Sequence, residues 1–214
     1  YRWLTFAGFM KHIGEMPDDW RWRIMGTILR AREGFPADTY KRANAHPNFT
    51  MHLSRGWTGA RMEGDRIRVE TARGPFHADY AICGTGIRHD PGLRPELAGF
   101  ADRIALWRDR YTPPAGDEDE LLGAYPYLGA DYAFLEKVPG TAPFLADIHL
   151  FGIGTTLSFG PSGSSINAMT IAVPKLVAGV TRGLFAGDLQ RHWQALQDYD
   201  VLQVEIDWER TERG

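Results

Sequence analysis

The spacing of apolar positions changes character along the chain. From Trp3 to about Ala45 it follows a helical period: Leu4, Phe6, Phe9 and Ile13 mark one stretch, and Trp20, Ile24, Thr27 and Ile28 mark the buried face of the next. Met16-Pro17-Asp18-Asp19 is the start signal of that second helix, since proline suits a first turn and acids meet the positive end of the dipole. Gly34-Phe35-Pro36 is its stop. After His46-Pro47-Asn48 the period becomes two: Phe49, Met51 and Leu53 alternate with polar residues, and Arg66 to Thr71 alternates again after a turn at Glu63-Gly64-Asp65. A second turn at Ala72-Arg73-Gly74-Pro75 leads into Phe76 to Cys83, which reads as a buried strand closing at Gly84-Thr85-Gly86. The pattern predicts helices followed by an antiparallel meander.

Proline, glycine, aspartate and tyrosine dominate residues 88–140, with short helical pieces near 95–100 and 117–122. The aromatics there (Phe100, Trp107, Tyr111, Tyr125, Tyr127, Tyr132 and Phe134) predict ordered irregular structure, because a disordered segment lacks apolar surface to bury. Regularity returns with a strand at 148–152, a Gly/Ser-rich loop at 154–165 and a long helix. Its buried stripe is expected at Ile166, Met169, Val173, Leu176, Val177, Val180 and Leu184, with Pro174 as a kink or break. A last helix is expected around 189–199.

Composition narrows the functional classes. With 43% hydrophobic residues, 214 residues can build a real core. Twenty-four Lys and Arg are scattered among 27 acids, for a net charge of -3, which supplies no basic field for a phosphate backbone and argues against nucleic acid as a partner. No run of roughly 18 apolar residues points to a membrane span. Cys83, the single cysteine, cannot form an internal disulfide; it reads as an inert buried thiol at a strand end, which fits a reducing cytoplasm. The chain opens on Tyr1 without the features of a signal peptide and reads as starting mid-protein.

Two segments carry candidate chemistry. Asp79 to Arg88 runs an apolar strand into two glycines, where backbone without a Cβ can approach a ligand, or where the chain simply turns. Ile153 to Ser165 feeds a helix N-terminus whose N–H groups favour a phosphate or the carbonyl edge of a flavin; alternatively Ser162, Ser164 or Ser165 is an ordinary N-cap. Other templates fail. Gly160-Pro161-Ser162-Gly163-Ser164 places its second glycine one position too early for a nucleophile elbow, and the loop lacks the lysine of a P-loop. The seven histidines show no metal-binding spacing, and His89-Asp90, beside the Gly-Thr-Gly turn, is either close to a ligand or a solvated turn pair, the second being the commoner case.

In order and spacing, these segments resemble the C-terminal half of flavoproteins with two dinucleotide-binding domains, above all the flavin-containing and N-hydroxylating monooxygenases. In that family a strand with an Asp and an Ala-Thr-Gly turn leads from the NAD(P)H domain back to the FAD domain; Asp79 to Gly86 matches it, with Cys83-Gly84-Thr85-Gly86 in place of Ala-Thr-Gly. His149 to Ser165 and the helix to Phe185 look like the family's closing strand, flavin-facing turn and helix. The resemblance implies an α/β chain, a partial FAD/NAD(P)-binding fold with an antiparallel strand meander and a long C-terminal helix. Residues 1–83 would be the remainder of the NAD(P)H domain and 84–214 the end of the FAD domain. It implies FAD contacts at Gly84, Thr85 and Gly86 and at Gly163, Ser164 and Ser165, a phosphate or NADP contact at Arg88, and the two bends meeting on one flat aromatic ligand.

The resemblance further implies that NAD(P)H reduces FAD and that the reduced flavin uses oxygen to oxygenate a small organic substrate. A flavin reductase or dehydrogenase that never oxygenates is the alternative within the enzyme class, and a non-catalytic interaction or structural domain the one outside it. One departure is large: no Gly-x-Gly-x-x-Gly opens a βαβ unit, so the glycine-rich Rossmann units are missing and the chain alone is expected to hold neither dinucleotide tightly. Surfaces that such units cover would let the chain form a homodimer.

Overall fold

The computed structural model describes residues 6–31, 35–201 and 203–204. Leu4, expected in the first apolar stripe, and Gly34, in the expected helix stop, lie outside them. The chain divides into two compact units, one of Tyr1–Gly26 with His89–Gly214 and one of Thr27–Arg88. The expected assignment of 1–83 and 84–214 to two nucleotide domains concerns ligands rather than compactness.

In the larger unit, α1 (Ala7–His12) buries Phe9 and Met10, and a 3-10 turn buries Ile13. Helix α2 (Asp18–Ala31) begins at the expected Pro-Asp-Asp signal, and the division between units falls within it. Its buried face is Arg21, Trp22, Met25 and Gly26 rather than the expected Trp20, Ile24, Thr27 and Ile28; Trp20 is exposed. The reason is an aromatic socket. Trp22 lies 6.1 Å from the ring of Trp107 and 5.6 Å from that of Tyr111, and its Nε1 donates to the Asp117 carbonyl at 3.0 Å.

The aromatic middle forms the core, as its composition implied. Trp107, Tyr132, Ile104, Leu145 and Leu157 are fully buried. Two short helices, α4 (Trp107–Arg110) and α5 (Glu120–Gly123), interrupt it, and Asp119 caps α5 by accepting from the N–H groups of Leu121 and Leu122. Isolated antiparallel bridges replace continuous strands: Ile104 pairs Glu136, Leu106 pairs Pro126, Leu128 pairs Phe134 and Ala133 pairs His149. The strand expected at 148–152 is thus reduced to the bridge at His149 and flanking bonds, Phe134 N–H to Ile148 and Leu150 N–H to Tyr132, both at 2.9 Å. Glu136 closes its own loop by accepting from the amides of Gly140 and Ala142, which hold its carboxyl below the usual range.

The chain then runs through α6 (Thr156–Phe159) and two 3-10 turns into α7 (Met169–Gly187) and α8 (Leu189–Gln197). Helix α7 continues through Pro174 instead of breaking there. Its inner face also differs from expectation. Ala172 and Gly179 are buried and Leu176 packs partly against the core, whereas Val173, Val177, Val180 and Leu184 are exposed. Small residues permit this approach, since a Cβ on Gly179 would collide with the Asp131 side chain. By length and composition, Ile166–Gly187 is apolar enough to cross a membrane, although Lys175 and Arg182 interrupt its apolar run.

The smaller unit contains the end of α2, α3 (Ala37–Asn44) and a three-stranded antiparallel sheet in the order β1 (Trp57–Glu63), β2 (Arg66–Thr71), β3 (Phe76–Ala78). The expected turn residue Gly64 has a φ of 63°, where glycine is unstrained, and sets Met62 opposite Ile67. Register sorts the two faces. Ala60, Met62, Ile67, Val69, Phe76 and Ala78 share one, while Arg61, Glu63, Arg68, Glu70 and His77 share the other in a ladder of ion pairs. Phe49, Met51 and Leu53, expected to open the meander, lie outside any strand.

Candidate functional site

The candidate residues fall into two bends, one in each compact unit. Gly84, Thr85, Gly86 and Arg88 belong to the smaller unit and are exposed. The ladder of β3 ends at Ala78, so the apolar run beyond it is irregular chain rather than the expected buried strand, with Tyr80 88% and Ile82 90% exposed. An apolar run becomes a buried strand only where neighbours complete its hydrogen bonds and cover its faces, and the described residues provide neither. Cys83 shares this exposure, which corrects its reading as a buried thiol. At the bend itself, Gly86 has a φ of 95°, and a Cβ at Gly84 or Gly86 would meet nothing within 4 Å. This is bare main chain open to approach, with a left-handed residue that glycine accommodates.

The second bend is built differently. Gly163 is buried, and a Cβ there would run into the Thr155 hydroxyl and come 3.1 Å from the Gly152 carbonyl. Its missing side chain is therefore used by the protein's own packing. Ser164 is exposed with its Oγ 3.4 Å from the Pro161 carbonyl, and Ser165 is half-buried. Neither they nor Ser162 caps α7, which starts after a 3-10 turn at Ile166–Ala168 without a side-chain cap. Ser162 instead donates to the Phe159 carbonyl at 2.8 Å and lies 3.3 Å from the Tyr132 hydroxyl. Gly160, with a φ of 63°, brings this loop against Ile13 and Phe9 of the N-terminal segment.

Beneath the loop lies a polar and aromatic cluster that periodicity did not reveal. Arg21 is buried with its guanidinium 4.9 Å from the Trp107 ring centroid and 5.4 Å from that of Tyr127. It pairs with Asp18 and donates to the Tyr127 hydroxyl at 3.1 Å, and Tyr127 in turn donates to Asp18 at 3.0 Å. Trp107 Nε1 donates to Ser158 Oγ at 3.1 Å, and Ser158 donates to the Pro126 carbonyl at 3.3 Å. Only the tertiary fold joins α2 to this loop, so no sequence spacing could have signalled it.

His89 also departs from expectation. It is half-buried, not a solvated turn residue; its ring lies 4.8 Å from that of Tyr125, and its Nδ1 is buried without a hydrogen-bond partner. Burial, and then the charge of Arg94, lower its pKa from the ordinary histidine value. A small open cleft of about 20 Å³, room for about one water molecule, adjoins it.

With this geometry in place, comparison with known proteins becomes informative. Over 207 residues, 97% of its length, the chain is 32% identical to the FAD-dependent urate hydroxylase of Xanthomonas campestris pv. campestris. The chain spans 44% of the hydroxylase's length. No family model and no solved structure matches the chain.

The residues present fit FAD only in part. The Gly84–Gly86 bend offers open main chain, but Gly163 is already filled by Thr155, and no Gly-x-Gly-x-x-Gly is present to take a pyrophosphate. These residues do not form a complete dinucleotide site.

Burial also gives the core a pH limit. Tyr125, Tyr127 and Tyr132 are all held above the ordinary tyrosine value of 10.0, first by burial, and Tyr125 is pushed up to about 12. A folded pKa above the unfolded one means that their contribution is intact below pH 10.0 and is lost as pH rises through the folded values, that of Tyr125 lying at about 12. Alkaline titration followed by tyrosinate absorbance and circular dichroism should show ionisation of these tyrosines together with unfolding. Tyrosinate forming near its ordinary pH in all eight tyrosines, with the fold intact, contradicts this account.

Proposed function

We propose that this chain is the C-terminal part of a FAD-dependent hydroxylase that acts on a small organic substrate with NAD(P)H as reductant. The observation that carries the reading is the 32% identity to a FAD-dependent urate hydroxylase across 97% of the chain. The same reading assigns residues 1–83 to the reductant side and 84–214 to the flavin side. Urate is the first substrate to test.

FAD, when bound, supplies the redox chemistry, accepting hydride and reacting with oxygen. The chain's own residues have other tasks. Gly84, Thr85 and Gly86 would present main chain to the cofactor, with Arg88 as a cation for phosphate. Ser164 and Ser165, outside the packed interior of their loop, would offer hydrogen bonds to the flavin ring, and Gly163 would act indirectly by setting the loop's path. The aromatic core keeps that loop in place.

Purified from the complete coding sequence, the protein should retain a flavin absorbance band and consume NAD(P)H in the presence of urate. The isolated 214-residue chain should lose flavin during gel filtration. Peroxide production without a hydroxylated product would indicate a flavin reductase instead. No retained flavin in any form would leave a non-catalytic domain and end the hydroxylase reading.

A further inference from the structure

We propose that Tyr132 is a positioning residue that fixes the path of the Gly160–Ser165 loop, and with it the place where Ser164 and Ser165 are presented to a ligand. The first sign is in the backbone. Tyr132 has a φ of 69°, in the left-handed region where Cβ crowds the following carbonyl and which bulky side chains rarely enter. It ends a tight turn: its N–H donates to the Gly129 carbonyl at 3.0 Å, and Leu128 pairs Phe134 across the turn. Glycine is the ordinary residue for a left-handed position in such a turn. A tyrosine persists there only where its surroundings hold it.

The side chain shows what does the holding. The ring is 1% exposed, lies 4.5 Å from that of Phe159 at the entrance to the loop, and meets Phe151 edge-on at 5.6 Å. The backbone of the same residue is tied to the neighbouring segment, its carbonyl accepting from the Leu150 N–H at 2.9 Å. Inside the loop, the Tyr132 hydroxyl lies 3.3 Å from Ser162 Oγ. Ser162 gives its single proton to the Phe159 carbonyl at 2.8 Å, so Tyr132 is the donor of that pair. Ser162 is 2% exposed, which leaves no water to replace a lost partner. The amides of Ser164 and Ser165 both donate to the carbonyl of Pro161, at 3.1 and 2.8 Å, so the two serines hang from the residue next to Ser162. Ring packing alone would be served by phenylalanine; the hydroxyl adds direction.

That the presented serines meet flavin rests on the hydroxylase reading; that Tyr132 holds the loop does not. Both are read on the protein purified from the complete coding sequence. Tyr132→Phe keeps the ring and removes the bond. Hydrogen exchange followed by mass spectrometry should be about tenfold faster in peptides covering residues 160–168, the consequence of one lost buried hydrogen bond, and unchanged in peptides covering residues 105–109. At saturating FAD the same variant should shift the visible bands of the bound flavin, a change that a general loss of stability does not produce. Ser162→Ala removes the acceptor and should reproduce both effects, and the double variant should be no worse than either single one. Should Tyr132→Phe not fold, Ser162→Ala carries the same two readouts.

Loop exchange unchanged in both variants overturns the positioning role, whatever the flavin does. Faster loop exchange with an unaltered flavin spectrum shows that Tyr132 only packs the core, and overturns its part in presenting Ser164 and Ser165. A wild-type protein that holds no flavin overturns the hydroxylase reading instead, and loop exchange then decides the role of Tyr132 by itself.

Discussion

Replacing Arg21 with alanine should lower the stability of the folded chain by about 3 kcal/mol, measured by urea denaturation. The guanidinium is enclosed by the Trp107 and Tyr127 rings, bonded to the Tyr127 hydroxyl and paired with Asp18. Removing it takes away a buried cation that two aromatic faces stabilise, leaves a hole beside Trp107 and strips a charge partner from Asp18. Because the Asp18 side chain is 26% exposed, water can recover part of its solvation, which places the loss at the lower end of the range for broken buried pairs. Asp18→Asn should be milder for the same reason, and the two substitutions should be non-additive because they remove one contact. A loss below about 1 kcal/mol for Arg21→Ala would show that the cluster is incidental to folding.

Gly163→Ala should destabilise the chain by about 1–3 kcal/mol without any ligand present, because the added methyl overpacks a closed site. The neighbours are the Thr155 hydroxyl and the Gly152 carbonyl, one on a fully buried side chain and the other on the backbone, so neither can move aside cheaply. Thr155→Ala removes the hydroxyl and should restore part of the loss when combined with Gly163→Ala. This experiment separates two reasons for a glycine in the loop. A melting temperature unaffected by Gly163→Ala, with weaker flavin retention in the complete protein, would return Gly163 to direct ligand contact.

The site was unevenly legible in the sequence. Gly84 and Gly86 were recognisable because a glycine pair after an apolar run marks a bend, and Gly86 does take a positive φ. Gly163 was recognisable as special but for a different reason, since the collision with Thr155 depends on how residues 152–163 fold back on themselves. His89 and Arg94 were missed as a pair: five residues apart in irregular chain, they have no periodicity to report that both border one cleft. Arg21 was missed because a charged residue in an amphipathic helix is ordinarily assigned to the solvent face.

What the sequence determined by itself was local. The Pro-Asp-Asp helix start, the Gly64 and Gly74 turns, the alternation in β2 and the ordering of an aromatic-rich irregular segment all follow from neighbours within a few residues. Tertiary structure decided which apolar face is covered. Helix α2 turned Arg21 and Trp22 inward because Trp107, Tyr111 and Tyr127 offered a socket of matching shape and charge, and α7 turned Ala172 and Gly179 inward because their small size permits close approach. The strand expected at Asp79 to Cys83 stayed open because a strand, unlike a helix, needs hydrogen-bond partners from elsewhere in the chain.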